Sequence, residues 1–239
     1  MDHRPERLVV VAGTGTEVGK TWVACRPARA LRSRGLVVAA RKPAQSFDAG
    51  EDAADTDAGL LAHATGDHPA IVCPRHRWYP VPLAPPMAAE ALGRPAFTIS
   101  DLVDELAWAP GVGVGLVESA GGVRSPLAAD GDTADLAGAV RPERVVLVAD
   151  AGLGTINGVR LAAAALAPWP VTVVLNRFDP DDDLHLRNAD WLAGRVGYDI
   201  VVDPDPNGSD ALTSAMVDPN TFEYTIGFVP AGDYVVAYT

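Results

Sequence analysis

The feature that most constrains this chain is a glycine-rich loop that directly follows a short apolar run. Residues 8–11 read LVVV, and residues 12–21 read AGTGTEVGKT. The apolar run predicts a buried strand, and the Ala- and Leu-containing segment after the loop predicts a helix. A strand, a loop and a helix in this order bring backbone N–H groups and a helix N-terminus to one point, which favours phosphate binding. We therefore expect a nucleotide-binding loop rather than an ordinary glycine-rich turn.

The residues of this loop suit the different parts of a nucleoside triphosphate. Gly13, Gly15 and Gly19 allow the backbone to approach the phosphates closely. Lys20 supplies a cation for the β- and γ-phosphate oxygens, and Thr21 supplies a hydroxyl for Mg²⁺. Counted from its first glycine, the loop is one residue longer than the common pattern G-x-x-x-x-G-K-[ST].

The composition predicts a globular protein with one large α/β domain, or one domain and an appendage. The chain has 239 residues, of which 48% are apolar and 21% are charged. It has no apolar run near the ~20 residues that span a bilayer and no recognisable secretory signal, so we expect a cytoplasmic protein without a membrane partner. Cys25 and Cys73 have no zinc-binding spacing. A net charge of -12 without Lys/Arg clusters argues against binding to nucleic acid.

Short apolar runs alternate with longer helix-forming segments, which predicts a mostly parallel sheet with helices on both faces, as in P-loop NTPases. We expect strands near residues 8–12, 36–40, 113–117, 145–149, 171–175 and 199–202. We expect helices near residues 19–34, 54–65, 98–108, 155–167 and 185–195. The proline-rich stretch 74–95 predicts an irregular loop followed by a short helix around Met87 to Leu92.

The chain changes character after residue 203. Residues 203–210 read DPDPNGSD and are rich in turn formers, and residues 221–239 alternate like two strands around a PAGD turn. We expect a P-loop domain over residues 1–203 and a turn-rich segment with a β-hairpin over residues 204–239. A β appendage, a dimer arm and a segment foreign to the preceding domain are all compatible with this tail.

Five motifs occur in an order and spacing typical of one enzyme family. They are GTGTEVGKT at 13–21, RKPAQS at 41–46, VESAGG at 117–122, GLGTIN at 152–157 and VLNRFD at 174–179. The ordered set covers about residues 6 to 202 and resembles the dethiobiotin synthetases. This family closes a cyclic urea on 7,8-diaminononanoate with CO2 and ATP. The resemblance implies an ATP-dependent carbon–nitrogen ligase that uses ATP and Mg²⁺ and forms a homodimer.

The resemblance implies two catalytic cations. A carbamate, formed from the diamine and CO2, must attack the γ-phosphorus, and both partners are anions that need positive charge between them. Lys20 and Lys42 are the candidates, and the family lysine that matches Lys42 orients the carbamate. Lys42 follows the second predicted strand, at the edge of the sheet where open α/β folds bind ligands. Taken alone, it would be interpreted as a solvated surface lysine.

The resemblance also implies a nucleotide site with a metal ion. Its cofactor-binding residues are Gly13, Thr16, Glu17, Val18, Gly19, Lys20, Thr21, Asp57, Glu118, Gly121 and Asn176. Thr21, Asp57 and Glu118 match the family's metal ligands, and hard oxygen ligands suit Mg²⁺. Asp52 and Asp55 compete with Asp57, because acidic residues in this stretch also favour the start of a helix.

Two further segments match the residues that bind the diamine and the adenine base in the family. Ser46 matches a substrate-contacting serine, and Asn176 matches the residue that reads the adenine edge, with a plain asparagine turn as its alternative. The other substrate-binding residues are Gly154, Thr155, Ile156 and Asn157. They open a predicted helix whose N–H groups can bind a carboxylate, and in the family this helix start acts across a dimer interface.

Three departures from the family pattern bear on activity. Ser119 stands where the family has glycine and would narrow the site if that glycine is needed for close approach or positive φ. Pro27 lies inside the helix after the loop, which costs ~3 kcal/mol and predicts a kink near Val23 with lower stability and intact chemistry. Residues 207–239 do not align with the family, and Pro204 is the candidate for a proline that closes over the base.

Other functions stay open at the level of sequence. The partition and septum-placement ATPases have a similar fold and act as nucleotide switches, but their loop has an additional lysine where this chain has Gly15. A cobyrinate-type amide synthetase would activate a different carboxylate, and the RKPAQS motif only partly favours the diamine. A damaged copy would keep a nucleotide-binding shell with little activity. We expect small-molecule substrates and neither nucleic acid nor a membrane as partner.

Overall fold

A six-stranded parallel sheet forms the centre of the molecule. The computed structural model describes residues 3–204 and two short strands at 215–217 and 224–226. The strands are Arg7–Gly13 (β1), Val38–Arg41 (β2), Gln45–Ser46 (β3), Trp78–Tyr79 (β4), Val114–Glu118 (β5), Arg144–Asp150 (β6), Val171–Phe178 (β7), Asp199–Pro204 (β8), Ala215–Val217 (β9) and Tyr224–Ile226 (β10). The large sheet has the order β2-β5-β1-β6-β7-β8, and every neighbouring pair in it is parallel.

Helices cover both faces of this sheet. They are Lys20–Ser33 (α1), Asp57–Thr65 (α2), Pro69–Val72 (α3), Pro85–Ala91 (α4), Ile99–Asp104 (α5), Thr133–Val140 (α6), Thr155–Ala165 (α7) and Asp183–Asp190 (α8). A 3-10 turn at Arg75–Arg77 and a π-helical turn at Trp191–Val196 complete the helical elements of the described residues. None of the described helices combines the length and the hydropathy that a bilayer crossing requires.

The side chains of β1 show how the two layers are built. Successive residues of a strand point to opposite faces, and Leu8 and Val10 lie in one apolar cluster while Val9 and Val11 lie in the other. The first cluster includes apolar residues of α4 to α7, and the second includes those of α1 to α3. The prediction of a mostly parallel sheet with helices on both faces is therefore confirmed.

The six predicted strands are all present, but some connecting elements differ from the prediction. Helix α5 ends at Asp104 rather than near residue 108, because the following stretch turns so that Trp108 packs under the guanidinium of Arg41. The stretch 74–95 is more regular than expected, since β4 pairs with β3 in a small parallel sheet. Helix α6 was not predicted, although its capping box of Asp132 and Asp135 is readable in the sequence.

The helix that follows the glycine-rich loop has the predicted bounds and continues past its internal proline. Helix α1 is unbroken from Lys20 to Ser33 with Pro27 inside it, and Val23 N–H still donates to the Gly19 carbonyl at 3.0 Å. The helix is therefore not interrupted at Pro27, and the kink near Val23 stays a prediction. Proline still removes one N–H donor from the interior of the helix.

The tail is described only in part. Strand β9 pairs antiparallel with β10, with Tyr224 opposite Val217. Strand β10 lies inside the segment predicted to form a strand, whereas the predicted PAGD turn and second strand lie outside the described residues. Strand β8 ends at Pro204, and the domain boundary near this residue stays a prediction.

Candidate active site at the carboxyl edge of the sheet

The order of the strands brings three motifs together at one edge. The loop after β1, Lys42 after β2 and Glu118 at the end of β5 belong to three strands that are neighbours in the order β2-β5-β1. Because the carboxyl ends of parallel strands meet at the same edge, distant parts of the chain converge there. This is where the sequence placed Lys42.

The loop between β1 and α1 is closely folded around the Lys20 side chain. Gly19 precedes the helix at φ 90°, and Glu17 is also left-handed at φ 59°. The ammonium of Lys20 donates to the Gly15 carbonyl at 3.1 Å, and the side chain is largely buried. Burial and the nearby charge of Lys42 lower the pKa of Lys20 to about 8. An anion placed in the loop would reverse this effect and favour the ammonium form.

Two consecutive residues near the end of β7 hold the loop from behind. Asn176 Nδ2 donates to the Val18 carbonyl at 2.9 Å, and Arg177 Nη2 donates to the Glu17 carbonyl at 2.8 Å. The guanidinium of Arg177 also pairs with Asp150 at 3.1 Å. Arg177 is left-handed at φ 56° and lies in a register shift of β7. These contacts fix two successive carbonyls of the loop and thereby its conformation.

A buried lysine and two carboxylates form the centre of the site. Lys42 Nζ lies 2.7 Å from both Asp57 Oδ2 and Glu118 Oε1, and it donates to the Ser119 carbonyl at 3.0 Å. The hydroxyl of Thr21 lies 2.6 Å from Asp57 Oδ1 and 2.8 Å from Glu118 Oε1. Lys42 and Glu118 are both 1% exposed, so the interpretation of Lys42 as a solvated lysine is wrong.

The two carboxylates stabilise the charge of Lys42, although they repel each other. Burial alone would lower the pKa of Lys42, but the carboxylates of Asp57 and Glu118 outweigh it and raise the pKa above its usual value. Burial alone would raise the pKa of Asp57, but the charge of Lys42 outweighs it and lowers the pKa. Burial raises the pKa of Glu118, and the nearby Asp57 adds to this rise. Lys42 is therefore a firmly held cation at neutral pH.

The oxygen atoms of the cluster fit a magnesium ion. The carboxylates of Asp57 and Glu118 both lie within hydrogen-bond distance of the Thr21 hydroxyl, and Mg²⁺ prefers such oxygen ligands. Glu118 Oε2 is buried and has no hydrogen-bond partner among the described residues. Thr56 accepts from Gly59 N–H and caps α2, which places Asp57 in the first turn of the helix.

Asp52 and Asp55, the two alternatives to Asp57 as a metal ligand, are not part of this cluster. Asp52 is exposed and accepts from Ala54 N–H, and Asp55 is exposed within the turn before α2. Within the part of the chain that the structure describes, no group of three His, Cys, Asp or Glu side chains forms a metal site. An ion held by two carboxylates and a hydroxyl would complete its shell with water and phosphate oxygens, which is the usual habit of Mg²⁺.

A cavity of about 650 Å³ opens beside the cluster. The predicted cofactor residues that line it are Thr16, Glu17, Gly19, Lys20, Thr21, Asp57 and Gly121. Lys42 and Ser46 line it too, and Phe47 and the stretch 82–85 add an apolar part to its wall. The cavity therefore has a charged end and an apolar wall, which suits an amphiphilic small molecule.

Other predicted residues do not line this cavity. They are Gly13, Val18, Glu118 and Asn176. A Cβ on Gly13 would come within 3.0 Å of the Gly15 carbonyl, so close approach requires glycine there. The helix start at residues 154–157 also lies outside the cavity.

Ser119 does not narrow the cavity, contrary to expectation. It is fully buried, is absent from the lining and does not have positive φ. Its N–H donates to the Val11 carbonyl at 3.0 Å, which continues the strand pairing. The left-handed glycine of this turn is Gly121, at φ 68°.

Sequence reasoning missed several polar residues of the cavity lining, among them Gln45 and Arg177. Gln45 lies inside the RKPAQS motif and Arg177 inside the VLNRFD motif, so each motif contained the signal. The stretch 82–85 had no such signal, and in the structure it follows β4, which pairs with β3 beside the cavity.

Comparison with known proteins places the chain in a broad class first. Residues 7–202 match the model of a family described as an AAA domain. Together with the parallel sheet and the loop before α1, this match defines a nucleotide-binding protein of the P-loop class.

Individual relatives narrow this class. The chain is 42% identical over 165 residues to the ATP-dependent dethiobiotin synthetase of Caulobacter sp. (strain K31), covering 68% of this chain and 71% of the relative. It is 39% identical over 214 residues to the enzyme of the same name from Rhodococcus jostii (strain RHA1), covering 87% of this chain and 90% of the relative. The chain therefore belongs to the ATP-dependent dethiobiotin synthetase family, and the resemblance stated from its motifs is confirmed.

Proposed function

We propose that this protein is an ATP-dependent carbon–nitrogen ligase that forms dethiobiotin from 7,8-diaminononanoate and CO2, as a step of biotin biosynthesis. The observation that carries the proposal is the buried Lys42, held at one wall of a 650 Å³ cavity whose other wall is the loop with Lys20. Two anionic reactants need two such cations. The two relatives described above are named for the same activity.

The reaction is a sequence of three bond-forming steps. One amine of the diamine attacks CO2 and loses a proton, which gives a carbamate. A carbamate oxygen then attacks the γ-phosphorus of ATP, ADP leaves, and a carbamic-phosphoric anhydride forms. The second amine attacks the carbonyl carbon of the anhydride and loses a proton, phosphate leaves with the C–O electron pair, and the ureido ring closes.

The residues of the cavity divide these tasks. Lys42 neutralises and orients the carbamate, and Lys20 neutralises the β- and γ-phosphate oxygens. Thr21, Asp57 and Glu118 would hold Mg²⁺, which when bound offsets phosphate charge. The backbone of the loop and Gly121 approach the phosphates.

The ends of the two ligands require further residues. Thr16 and Glu17 face the phosphates or the diamine, and Ser46 contacts the diamine. Asn176 reads the adenine edge, and its Oδ1 is buried without a hydrogen-bond partner among the described residues. The helix start formed by Gly154, Thr155, Ile156 and Asn157 binds the substrate carboxylate in a second copy of this chain. Such exchange makes the protein a homodimer, which acts in the cytoplasm.

The direct test is the reaction itself. Purified protein with diaminononanoate, bicarbonate, Mg²⁺ and ATP should yield dethiobiotin, ADP and phosphate in equal amounts. ATP hydrolysis that does not depend on the diamine would favour a nucleotide switch. Turnover only with another carboxylate and an amide donor would favour an amide synthetase. No turnover by a folded protein that binds ATP would contradict the proposal.

The shared site can be tested by mixing two inactive variants. Lys42→Met removes the carbamate cation, and Gly154→Asp places a negative charge at the start of α7, where it would repel a carboxylate. If each cavity uses the partner's α7, a mixed dimer has one intact site, and re-associated mixtures should recover roughly a quarter of the wild-type activity. Absence of recovery, with mixed dimers demonstrated, would show that each chain is self-sufficient.

A further inference from the structure

Gln45 lies in a segment whose backbone is fixed at both ends. Lys42 N–H donates to the Val72 carbonyl at 2.8 Å, and Phe47 N–H donates to the Tyr79 carbonyl at 3.0 Å. Between them, Gln45 pairs with Trp78 in the small β3–β4 sheet. The side chain is 1% exposed and belongs to the cavity wall. Its position is therefore set by the backbone on either side.

The orientation of the Gln45 amide follows from one hydrogen bond. Ala58 N–H donates to Gln45 Oε1 at 2.9 Å, and only the oxygen of an amide can accept. The other end of the amide must then be Nε2, which is buried and has no hydrogen-bond partner among the described residues. Buried donors without partners are rare in proteins. This donor therefore calls for an acceptor supplied from outside the described residues.

The neighbours of the amide indicate which acceptor it meets. Ala58 directly follows Asp57, whose Oδ2 lies 2.7 Å from Lys42 Nζ. The amide is thus anchored next to the carboxylate that contacts the catalytic ammonium. Ser46, the next residue, also has a buried hydroxyl without a partner among the described residues. An unpaired amide donor and an unpaired hydroxyl in the same cavity lining as Lys42 suit the oxygen atoms of a bound anion.

We propose that Gln45 is a further substrate-binding residue, whose amide nitrogen donates a hydrogen bond to an oxygen of the carbamate that Lys42 holds. The inference rests on the proposed function and extends it to a residue of the same cavity. Lys42 supplies positive charge to the carbamate. The planar amide of Gln45, which is fixed through its oxygen, adds a hydrogen bond of defined direction. The carbamate is thereby turned so that one oxygen stays free to attack the γ-phosphorus.

A purely structural role for Gln45 predicts different behaviour. Its oxygen accepts from the second N–H of α2, so the residue could act only by capping the helix that carries Asp57. Gln45→Glu keeps an acceptor for this N–H and removes the donor, whereas Gln45→Met removes both. Thr65→Val serves as a control, because Thr65 is another buried polar residue of α2, bonded to the Leu61 carbonyl at the far end of the helix.

The experiment compares kcat/KM for diaminononanoate, at saturating bicarbonate, with the affinity for a non-hydrolysable ATP analogue. We expect kcat/KM to fall about tenfold or more in both Gln45 variants, since hydrogen bonds to charged groups are the stronger ones. The analogue should bind within about threefold of wild type, as expected when a contact is made to one ligand only. Thr65→Val should match wild type in both measurements.

Several outcomes would overturn the inference. Unchanged kcat/KM in both variants would mean that only water meets the amide. A loss in Gln45→Met alone would assign a capping role, and a loss in Gln45→Glu alone would reflect added charge. A parallel loss of analogue affinity in both would indicate general damage to the site. If the wild-type protein makes no dethiobiotin, the proposed function fails and this inference fails with it. If the wild-type protein is active, any of the contrary results above concerns the role of Gln45 alone.

Discussion

At the scale of single residues, Lys42 shows how the side chain to which we assign the carbamate contact is held in the folded protein. A buried charge is tolerated only with partners, and Lys42 has Asp57, Glu118 and the Ser119 carbonyl. The same contacts hold the ammonium at the cavity wall. We therefore expect catalysis and folding to respond together when this residue is changed.

Replacing Lys42 by methionine should abolish dethiobiotin formation and lower the free energy of unfolding by about 3–5 kcal/mol, because Glu118 is left buried without its cation. The double variant Lys42→Met/Glu118→Gln should recover much of this stability and none of the activity. Urea denaturation and a product assay measure the two effects. A single variant as stable as wild type would contradict the account of the buried pair.

Gly19 and Gly35 offer a matched pair of substitutions. Both are left-handed, at φ 90° and 87°, but a Cβ on Gly19 would overlap the Asn176 amide, whereas the space around Gly35 is open. Gly35→Ala should cost roughly 1–2 kcal/mol of stability from backbone strain alone. Gly19→Ala should in addition displace the loop.

The effect of this displacement on ATP affinity is measured by calorimetric titration. We expect the affinity of Gly19→Ala to fall about tenfold or more, equivalent to about 1.4 kcal/mol or more. Gly35→Ala should bind ATP like wild type. Equal affinities in the two variants would argue against close packing of Asn176 on Gly19.

At the scale of elements, helix α1 tolerates a proline without a break. Pro27 removes one N–H from the interior, yet the apolar face of the helix stays buried through Val23, Cys25 and Leu31. Burial of this face outweighs the lost hydrogen bond, because packing contributes most of a helix's stability in proteins. The glycine-rich loop precedes the first turn of α1, and Pro27 lies beyond that turn, so the proline does not disturb the loop.

Pro27→Ala should restore the missing donor and raise the free energy of unfolding by up to about 3 kcal/mol. The Km for ATP and kcat should stay close to the wild-type values, because the phosphate-facing turn precedes the proline. Thermal denaturation and steady-state kinetics test both parts. Lower stability of the variant would show that the ring of Pro27 makes a packing contribution of its own.

At the scale of the whole molecule, two buried thiols link folding to pH. Cys25 and Cys73 both belong to the core on the α1–α3 face of the sheet. Burial raises the pKa of each thiol to about 12. In the unfolded chain the thiols ionise near pH 8.5. The stabilising effect of the neutral thiols is therefore present below about pH 8.5 and is lost as pH rises toward 12.

We expect the free energy of unfolding to fall by about 1.4 kcal/mol per pH unit for each thiol above about pH 8.5. The double variant Cys25→Ala/Cys73→Ala should start from a lower value, because its core is underfilled, and then fall less steeply. Denaturation between pH 8 and 10.5, as rough limits that bracket this window, measures the two slopes. Equal slopes would mean that the thiols already ionise in the folded protein.

The sequence predicted the individual helices and strands of this protein better than the contacts between them. The strand before the glycine-rich loop, the loop itself and Lys42 at the second strand were predicted because each has a local pattern. Asp52 and Asp55 were left as alternatives to Asp57, and the structure brings Asp57, in the first turn of α2, within hydrogen-bond distance of Lys42 and Thr21. The concern over Ser119 was wrong, because the left-handed conformation of that turn falls at Gly121 instead.

The sequence by itself determined the strand–loop–helix unit, the parallel sheet and the family, because these depend on periodicity and on residue types at fixed spacing. Only the tertiary structure decided that Lys42 is buried between Asp57 and Glu118, that Asn176 and Arg177 hold the loop, and that Gln45 has an unpaired amide. These contacts join residues far apart in the chain. They depend on strand order and on side-chain burial, which local sequence patterns do not specify.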